Sequence, residues 1–488
     1  MRGFWGSFLT CLANLIFLLS SLPPWLRFQR SKNSLAWTQE EILLRILKGN
    51  CNSGFGRRHG FSSIDSAKEY LKRVEIRDYD GFEPYIEQLC QGKQGMLSQE
   101  KVFMFEPSSG STRASKYIPY TRKLLSEFQE AVSTWIFDLY WGIPSMLRGR
   151  AYWCITPTAP REKKTEGGIP LGMEEDSGYF GGLRQSILRR LLVIPPEVAS
   201  IESRKNFQYC SLLFLLAAED LTLISLWSPS FLLRLLEPLP QWRDSLADDL
   251  AFGTLGPPES MDDELRARLS DHLQKLPHRA EALRKGLPPK DLWPNLKLIS
   301  AWADWTAAYH VEPLKRVFPS VHFQPKGLLA TEGVVSFPLL GEERGAPLAV
   351  TSHFFDFVDD NGGVFLAHEL EEGKCYEVNL TTSGGLYRYR LGDRVLATGF
   401  YHEIPLLRFQ GRVEFVSDWF GEKINERHLL SLLEDIFPSL SKRDDESAPS
   451  FVFFALEHEP KAHYVLWLSP GEGEIGDLAE LSSKLEEG

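Results

Sequence analysis

Four groups of residues in this chain have the types and spacing that could do phosphate chemistry. The first is Phe105-Glu106-Pro107-Ser108-Ser109-Gly110-Ser111-Thr112, with Lys116 shortly after it. A short apolar run empties into a loop of hydroxyl residues and glycine, which can turn successive N–H groups and hydroxyls toward phosphate oxygens. It is not a Walker loop, because GxxxxGK[ST] is absent, and a plain Ser/Gly surface turn has the same composition. The second is Thr331-Glu332 at the end of an apolar run. A hydroxyl beside a carboxylate could serve a phosphate and its magnesium, since magnesium with polyphosphate takes only one or two protein carboxylates. A solvated loop glutamate is the plainer alternative. The third runs from Thr381 through Gly384-Gly385-Leu386-Tyr387-Arg388-Tyr389-Arg390 to Gly392-Asp393. Its alternation of aromatics and arginines reads as an exposed strand, and Asp393 could either close a turn or accept both hydroxyls of a ribose. The fourth is Gly411-Arg412, followed by Gly421-Glu422-Lys423, which is equally a charged hairpin before a helix.

Something must hold these groups in place, and the apolar periodicity suggests what. Helical spacing runs from about Thr121 to Tyr140, and a segment near Phe207 to Trp227 is apolar almost all round, as a buried helix would be. Ser260 and Asp263 mark a further helix start leading to about Lys275. Short apolar runs at Val102–Phe105, Tyr152–Thr156 and Leu296–Ser300 read as strands, so the first part predicts an α/β sheet covered by helices. Beyond about residue 345 the pattern becomes β-rich: Leu348–Val358, Val364–Leu370, Cys375–Thr381, Tyr387–Phe400 and Leu406–Val416. Asp359 to Gly363 supplies a hairpin turn between the first two. A small αββα module follows, with a helix near Glu426–Phe437, strands at Phe451–Glu457 and His463–Leu468, and an acidic helix from about Ile475. The domain reading is therefore 1–410, with a β-rich subdomain at 345–410, and 411–488.

Composition bounds the function classes. The 488 residues carry 54 Lys+Arg against 65 Asp+Glu, a formal charge of −11 with no strong basic cluster, which speaks against a nucleic-acid partner. Six scattered cysteines without a CxxC pair fit a reducing compartment and no zinc ribbon. The 11 histidines show no HExxH spacing. Residues 3–26 are uncharged and mostly apolar. They are long enough for a bilayer span, and Ser20-Ser21 suits a signal-peptide cleavage site. The favoured reading is a buried helix ended by Pro23-Pro24, since proline has no N–H to give, in a soluble, cytoplasmic monomer.

Each motif alone is ordinary, but their order is not. SSGST, then Thr331-Glu332, then Tyr-Arg-Leu-Gly-Asp, then Gly411-Arg412 resembles the adenylate-forming enzyme superfamily, with its firefly-luciferase-like fold: a large α/β domain and a small C-terminal α/β domain. The wording of SSGST with KYIPYT, TTSGGLYRYRLGD with VLATGF, GEKINE, and Asn50 with FGRRHGF at 55–61 resembles one branch, the auxin-responsive acyl-acid amido synthetases (the Gretchen Hagen family). The resemblance implies a ligase that uses ATP and Mg2+ to adenylate a small carboxylic acid and then passes the acyl group to an amino acid. It implies that Ser108, Ser109, Gly110, Ser111, Thr112 and Lys116 hold phosphates, Thr331 the α-phosphate region and Glu332 the magnesium. Asp393 would take the ribose, Arg412 the hinge, and Lys423 would approach the α-phosphate from the small domain. Three departures weigh against full transfer: Arg113-Ala114-Ser115 shortens the phosphate loop, Leu328 replaces an aromatic expected at the adenine, and the chain stops at Gly488, earlier than relatives do. A coenzyme A ligase, or a non-catalytic binder of small acids or nucleotides, remains the alternative.

Overall fold

The computed structural model describes residues 2–108, 116–154, 164–172, 187, 190–413, 416–417, 424–425, 451–457 and 463–469. Two sheets organise the chain. The first is parallel, with strands β3 (Arg150–Trp153), β4 (Leu221–Ser225), β5 (Leu298–Ala301) and β6 (His322–Pro325) in the order β3-β4-β5-β6. Every residue of β4 and β5 is buried, the pattern expected of parallel strands covered on both faces. The second sheet is antiparallel: β9 (Ala346–Pro347), β10 (Phe354–Val358), β11 (Val364–Leu366), β12 (Cys375–Thr381), β13 (Tyr389–Tyr401) and β14 (Ile404–Arg412), in the order β11-β10-β12-β13-β14-β9. The Asp359–Gly363 turn joins β10 to β11 as the sequence predicts, with Asp359 Oδ1 accepting from the Asn361 and Gly363 N–H groups.

Helices α1 (Arg2–Ser31), α2 (Leu35–Asn50) and α6 (Arg122–Gly142) share one core with the antiparallel sheet. The second core surrounds the parallel sheet and helix α7 (Arg204–Ala217). The start of α6 follows its sequence: Thr121 caps it, its hydroxyl accepting from the Leu124 N–H. Between α2 and the phosphate-loop region lie α3 (Gly54–Arg58), α4 (Ala67–Arg73) and α5 (Tyr79–Cys90). Two small hairpins complete the frame: β1 (Met104–Ser108) with β2 (Lys116–Tyr120), and β7 (Leu329–Ala330) with β8 (Gly333–Val334). Near the C-terminus, Phe451–Glu457 pairs antiparallel with His463–Ser469, as expected, while the helices expected near 426–437 and 475 lie outside the described residues.

Three expectations are corrected. The apolar stretch 207–227 is not one helix: α7 ends at Ala217 and β4 begins at Leu221. A short, wholly buried run carries no periodicity that separates strand from helix, and the β-branched Thr222 and Ile224 sit on the strand side of that break. The helix starting near residue 260 is capped by Asp262, not Ser260, and ends at Ser270. Finally, α1 does not stop at Pro23-Pro24 but runs to Ser31. The two prolines deprive only the Leu19 and Ser20 carbonyls of donors, and both residues reach solvent, where water can serve them. Buried Phe28, stacked against Tyr401, anchors the turns beyond.

Candidate active site

The Thr331-Glu332 pair forms the turn of the β7–β8 hairpin. Three contacts hold that turn. The Tyr120 hydroxyl donates to the Thr331 carbonyl at 2.7 Å, so β2 fixes it from one side. The Val334 N–H donates to Nε2 of His353 at 3.3 Å, fixing it from the other. Gly333 sits so close to His353 and Leu380 that a Cβ there would lie 2.8 Å from the His353 ring, so only glycine fits.

Glu332 is buried, 9% exposed, contrary to the solvated loop glutamate that its motif also allowed. The Tyr389 hydroxyl hydrogen-bonds it, and Asp393 and Arg412 are its charged neighbours. Asp393 on β13 lies opposite Arg412 on β14, with Nε donating to Oδ1 at 2.9 Å. Burial pushes the Glu332 carboxyl above its ordinary range, and the negative Asp393 adds to the push while Arg412 opposes it. Asp393 is raised as well, chiefly by burial, against the pull of Arg412. Two buried carboxylates thus share one guanidinium already committed to Asp393. That is a deficit of positive charge around hard oxygen donors, which fits a divalent cation of the magnesium type. Among the described residues no cluster of three or more His, Cys, Asp or Glu could hold a metal alone.

Two of the phosphate-loop candidates, Ser108 and Lys116, belong to the neighbouring hairpin. Ser108 ends β1 directly opposite Lys116, which starts β2, and β2 is the strand whose Tyr120 holds the Thr331 turn. The Lys116 ammonium lies 5.7 Å from the centre of the Tyr79 ring. Ser109, Gly110, Ser111 and Thr112, which the hairpin brackets, lie outside the described residues, as does Lys423. Ser108, Lys116, Thr331, Glu332, Asp393 and Arg412 are therefore joined through three elements: the β1–β2 hairpin, the β7–β8 turn and the β13–β14 pair. Leu328 is buried, 7% exposed, just ahead of β7.

The TTSGGLYRYRLGD segment overturns the exposed-strand reading. Tyr387, Arg388 and Tyr389 are all buried. Arg388 adopts a left-handed φ of 49°, and its guanidinium meets Asp356 of β10 at 2.9 Å and the Leu71 and Val74 carbonyls at 2.9 and 2.8 Å. It is a structural bolt between α4 and the antiparallel sheet. Its own N–H donates to the Thr381 hydroxyl, which also meets the Tyr70 hydroxyl. The Asn50 and FGRRHGF signature serves the same segment. Asn50 Nδ2 donates to the Ser383 carbonyl, and Phe55 stacks on Tyr387 at 4.7 Å. A Cβ at Gly56 would lie 2.1 Å from the Asn50 carbonyl oxygen.

One buried cluster beside these elements has no local sequence signal. Glu127 of α6 accepts from the Ser383 N–H, at 3.1 Å for Oε2, and faces Nδ1 of His353 at 3.2 Å. Because His353 Nε2 accepts from Val334, the ring proton sits on Nδ1 and points at Glu127. This buried relay ties the Thr331-Glu332 turn to the glycine loop at 383–385. Its members are 226 residues apart, so no motif could reveal it. Tyr120 and Tyr389 were visible only as letters within motifs.

Residues 26–323 match the GH3 family N-terminal domain, and 346–412 match the GH3 family central domain. Among curated proteins, the indole-3-acetic acid-amido synthetase GH3.4 of Arabidopsis thaliana is 23% identical over 88% of this chain and 75% of its own length. The 4-substituted benzoates-glutamate ligase GH3.12 of Arabidopsis thaliana is 25% identical over 91% and 80%. The solved structure of a GH3.15 acyl acid amido synthetase in complex with 2,4-DB overlays with a TM-score of 0.81 at 20% identity, covering 95% of this chain and 83% of that one. That likeness shows that this chain shares the fold of that structure, in keeping with the fold expected from the motifs. The domain matches span well over half of the sequence, so the chain belongs to the GH3 family.

Proposed function

We propose that this protein is an ATP-dependent acyl-acid amido synthetase, a ligase that joins a small carboxylic acid to an amino acid through an acyl-adenylate. The observation that carries this is the undercompensated pair Glu332–Asp393, with Arg412, beside the Thr331 turn and the Ser108–Lys116 hairpin. The names of the relatives support the same reading.

A carboxylate is a poor acyl donor. Attack of its oxygen on the α-phosphorus of ATP, with pyrophosphate leaving, converts it to a mixed anhydride; an amine then attacks the carbonyl carbon and AMP leaves. The first step sets two anions against each other and calls for charge neutralisation and positioning. Glu332 would hold magnesium, which supplies that neutralisation when bound. Ser108 and the hydroxyl residues through Thr112, with Lys116, would cradle phosphates, and Thr331 would face the α-phosphate. Asp393 would accept the ribose hydroxyls while Arg412 keeps it oriented at the start of the small domain. Lys423 would complete the site from that domain. We take the reaction to be cytoplasmic, where ATP is held, and the protein to act as a monomer.

A pyrophosphate-release screen of small acids crossed with amino acids tests the proposal. The expected result is acid-dependent pyrophosphate release and an amide product without coenzyme A. Glu332→Gln should reduce acid-dependent exchange by about a hundredfold or more, several kcal/mol of lost charge stabilisation. Exchange that stays normal in this variant at limiting magnesium would remove Glu332 from the metal site. A thioester product would point to the coenzyme A reading, and no exchange with any acid to a binder.

A further inference from the structure

The first helix has a second face that the fold does not use. One side of α1 is committed to protein: Phe17, Leu18 and Phe28 are buried, and buried Asn14 donates to the Leu147 and Gly149 carbonyls at 3.0 and 2.8 Å. On the other side, every exposed residue from Phe8 to Leu26 is apolar: Phe8, Leu9, Leu12, Leu15, Ile16, Leu19, Pro23 and Leu26. Leu19 is 57% exposed. At 1.5 Å per residue the stripe is about 27 Å long, more contiguous apolar surface than a soluble monomer ordinarily shows. Trp141, 67% exposed, stacks on Phe137, whose ring packs against Trp25 of α1, so an exposed indole stands beside the stripe.

The charge around the stripe indicates its occupant. Residues 1–39 hold Arg2, Arg27, Arg30 and Lys32 and not one Asp or Glu, in a protein whose formal charge is −11. A protein-binding patch normally carries a polar rim of mixed character; here Arg27 is paired with Glu130 of α6, and Arg30 and Lys32 are the cations that follow the stripe. We propose that α1 is an interfacial helix that docks the protein on an anionic lipid surface. Its outer side chains enter the headgroup–acyl boundary, while Arg30 and Lys32 meet lipid phosphates and Trp141 sits at headgroup level. The helix lies flat and does not cross, because its inner face and Asn14 stay bonded to the domain. This goes beyond the ligase reading and does not depend on it.

The test uses the untagged full-length protein with vesicles of phosphatidylcholine, with and without phosphatidylglycerol. Flotation with the anionic vesicles is expected, weakened by salt and by Arg30→Ala/Lys32→Ala. Leu12→Gln/Ile16→Gln/Leu19→Gln should lower binding by about tenfold or more, since three aliphatic side chains leave the lipid. Its melting temperature and pyrophosphate exchange should not change, as these residues face outward and away from the site. Absence of flotation with either vesicle overturns the proposal. So does a wild-type dimer that the apolar variant converts to monomer without altering flotation, which would make a second copy the occupant. Recovery in the bilayer after a carbonate wash would mean a span instead. If the triple variant fails to fold, the charge variant and the lipid dependence of the wild type decide.

Discussion

Asp138 offers a quantitative test of how α6 is fastened. It lies on the helix that also carries Glu127, and its Oδ2 accepts from the Leu340 N–H at 2.6 Å, tying α6 to the loop before β9. Burial raises its carboxyl from 3.8 to about 6, with the Leu340 N–H pulling the other way. The native state therefore binds a proton more tightly than the unfolded chain does. The Asp138 contribution is full below about pH 4 and is lost as pH rises through about 6, where the charged form must be kept in a poorly solvated place. A rise of that size corresponds to a ceiling of about 3 kcal/mol, and partial contact with water reduces the expectation to about 1–2 kcal/mol. Asp138→Asn keeps an oxygen for Leu340 and removes the charge. It should gain about 1–2 kcal/mol over wild type at pH 7.5 and nearly nothing at pH 4. Urea unfolding of both proteins at half-unit steps between these values measures the difference. A gap that does not widen between pH 4 and 6, or an asparagine variant less stable at pH 7.5, would show that Asp138 is needed as a charge and refute the reasoning.

Arg388→Ala should cost about 3–5 kcal/mol in chemical denaturation, because it leaves Asp356 buried without its ionic partner and unties the Leu71 and Val74 carbonyls. A loss below 1 kcal/mol would mean that water replaces the guanidinium. Lys423→Ala should slow adenylate formation far more than it weakens ATP binding, since a lysine brought in by a closing domain acts on the transition state. Single-turnover adenylation beside ATP titration separates the two, and an unchanged rate would exclude Lys423 from the site.

The order of the chemical motifs was legible in the sequence. Phosphate, metal and ribose contacts demand hydroxyls, carboxylates and glycines in short loops, and those residue types survive as local patterns around Ser108, Thr331 and Asp393. The β-rich part was equally legible, because period-two alternation and the Asp359–Gly363 turn are short-range signals. Only the tertiary structure decided which polar side chains work as bolts and which as ligands. Arg388 and Arg412 read alike in sequence, yet Arg388 is buried against Asp356 and Arg412 stands at the site beside Asp393. The Glu127–His353 contact joins α6 to the residue before β10, and the helix-or-strand choice at 204–225 depended on the strands that pair with β4 along both of its edges. The same holds for α1: residues 3–26 announced an apolar helix, but only packing against α6 showed which half of it is core and which half is surface. Periodicity reports what a segment could bury; what it does bury depends on neighbours hundreds of residues away.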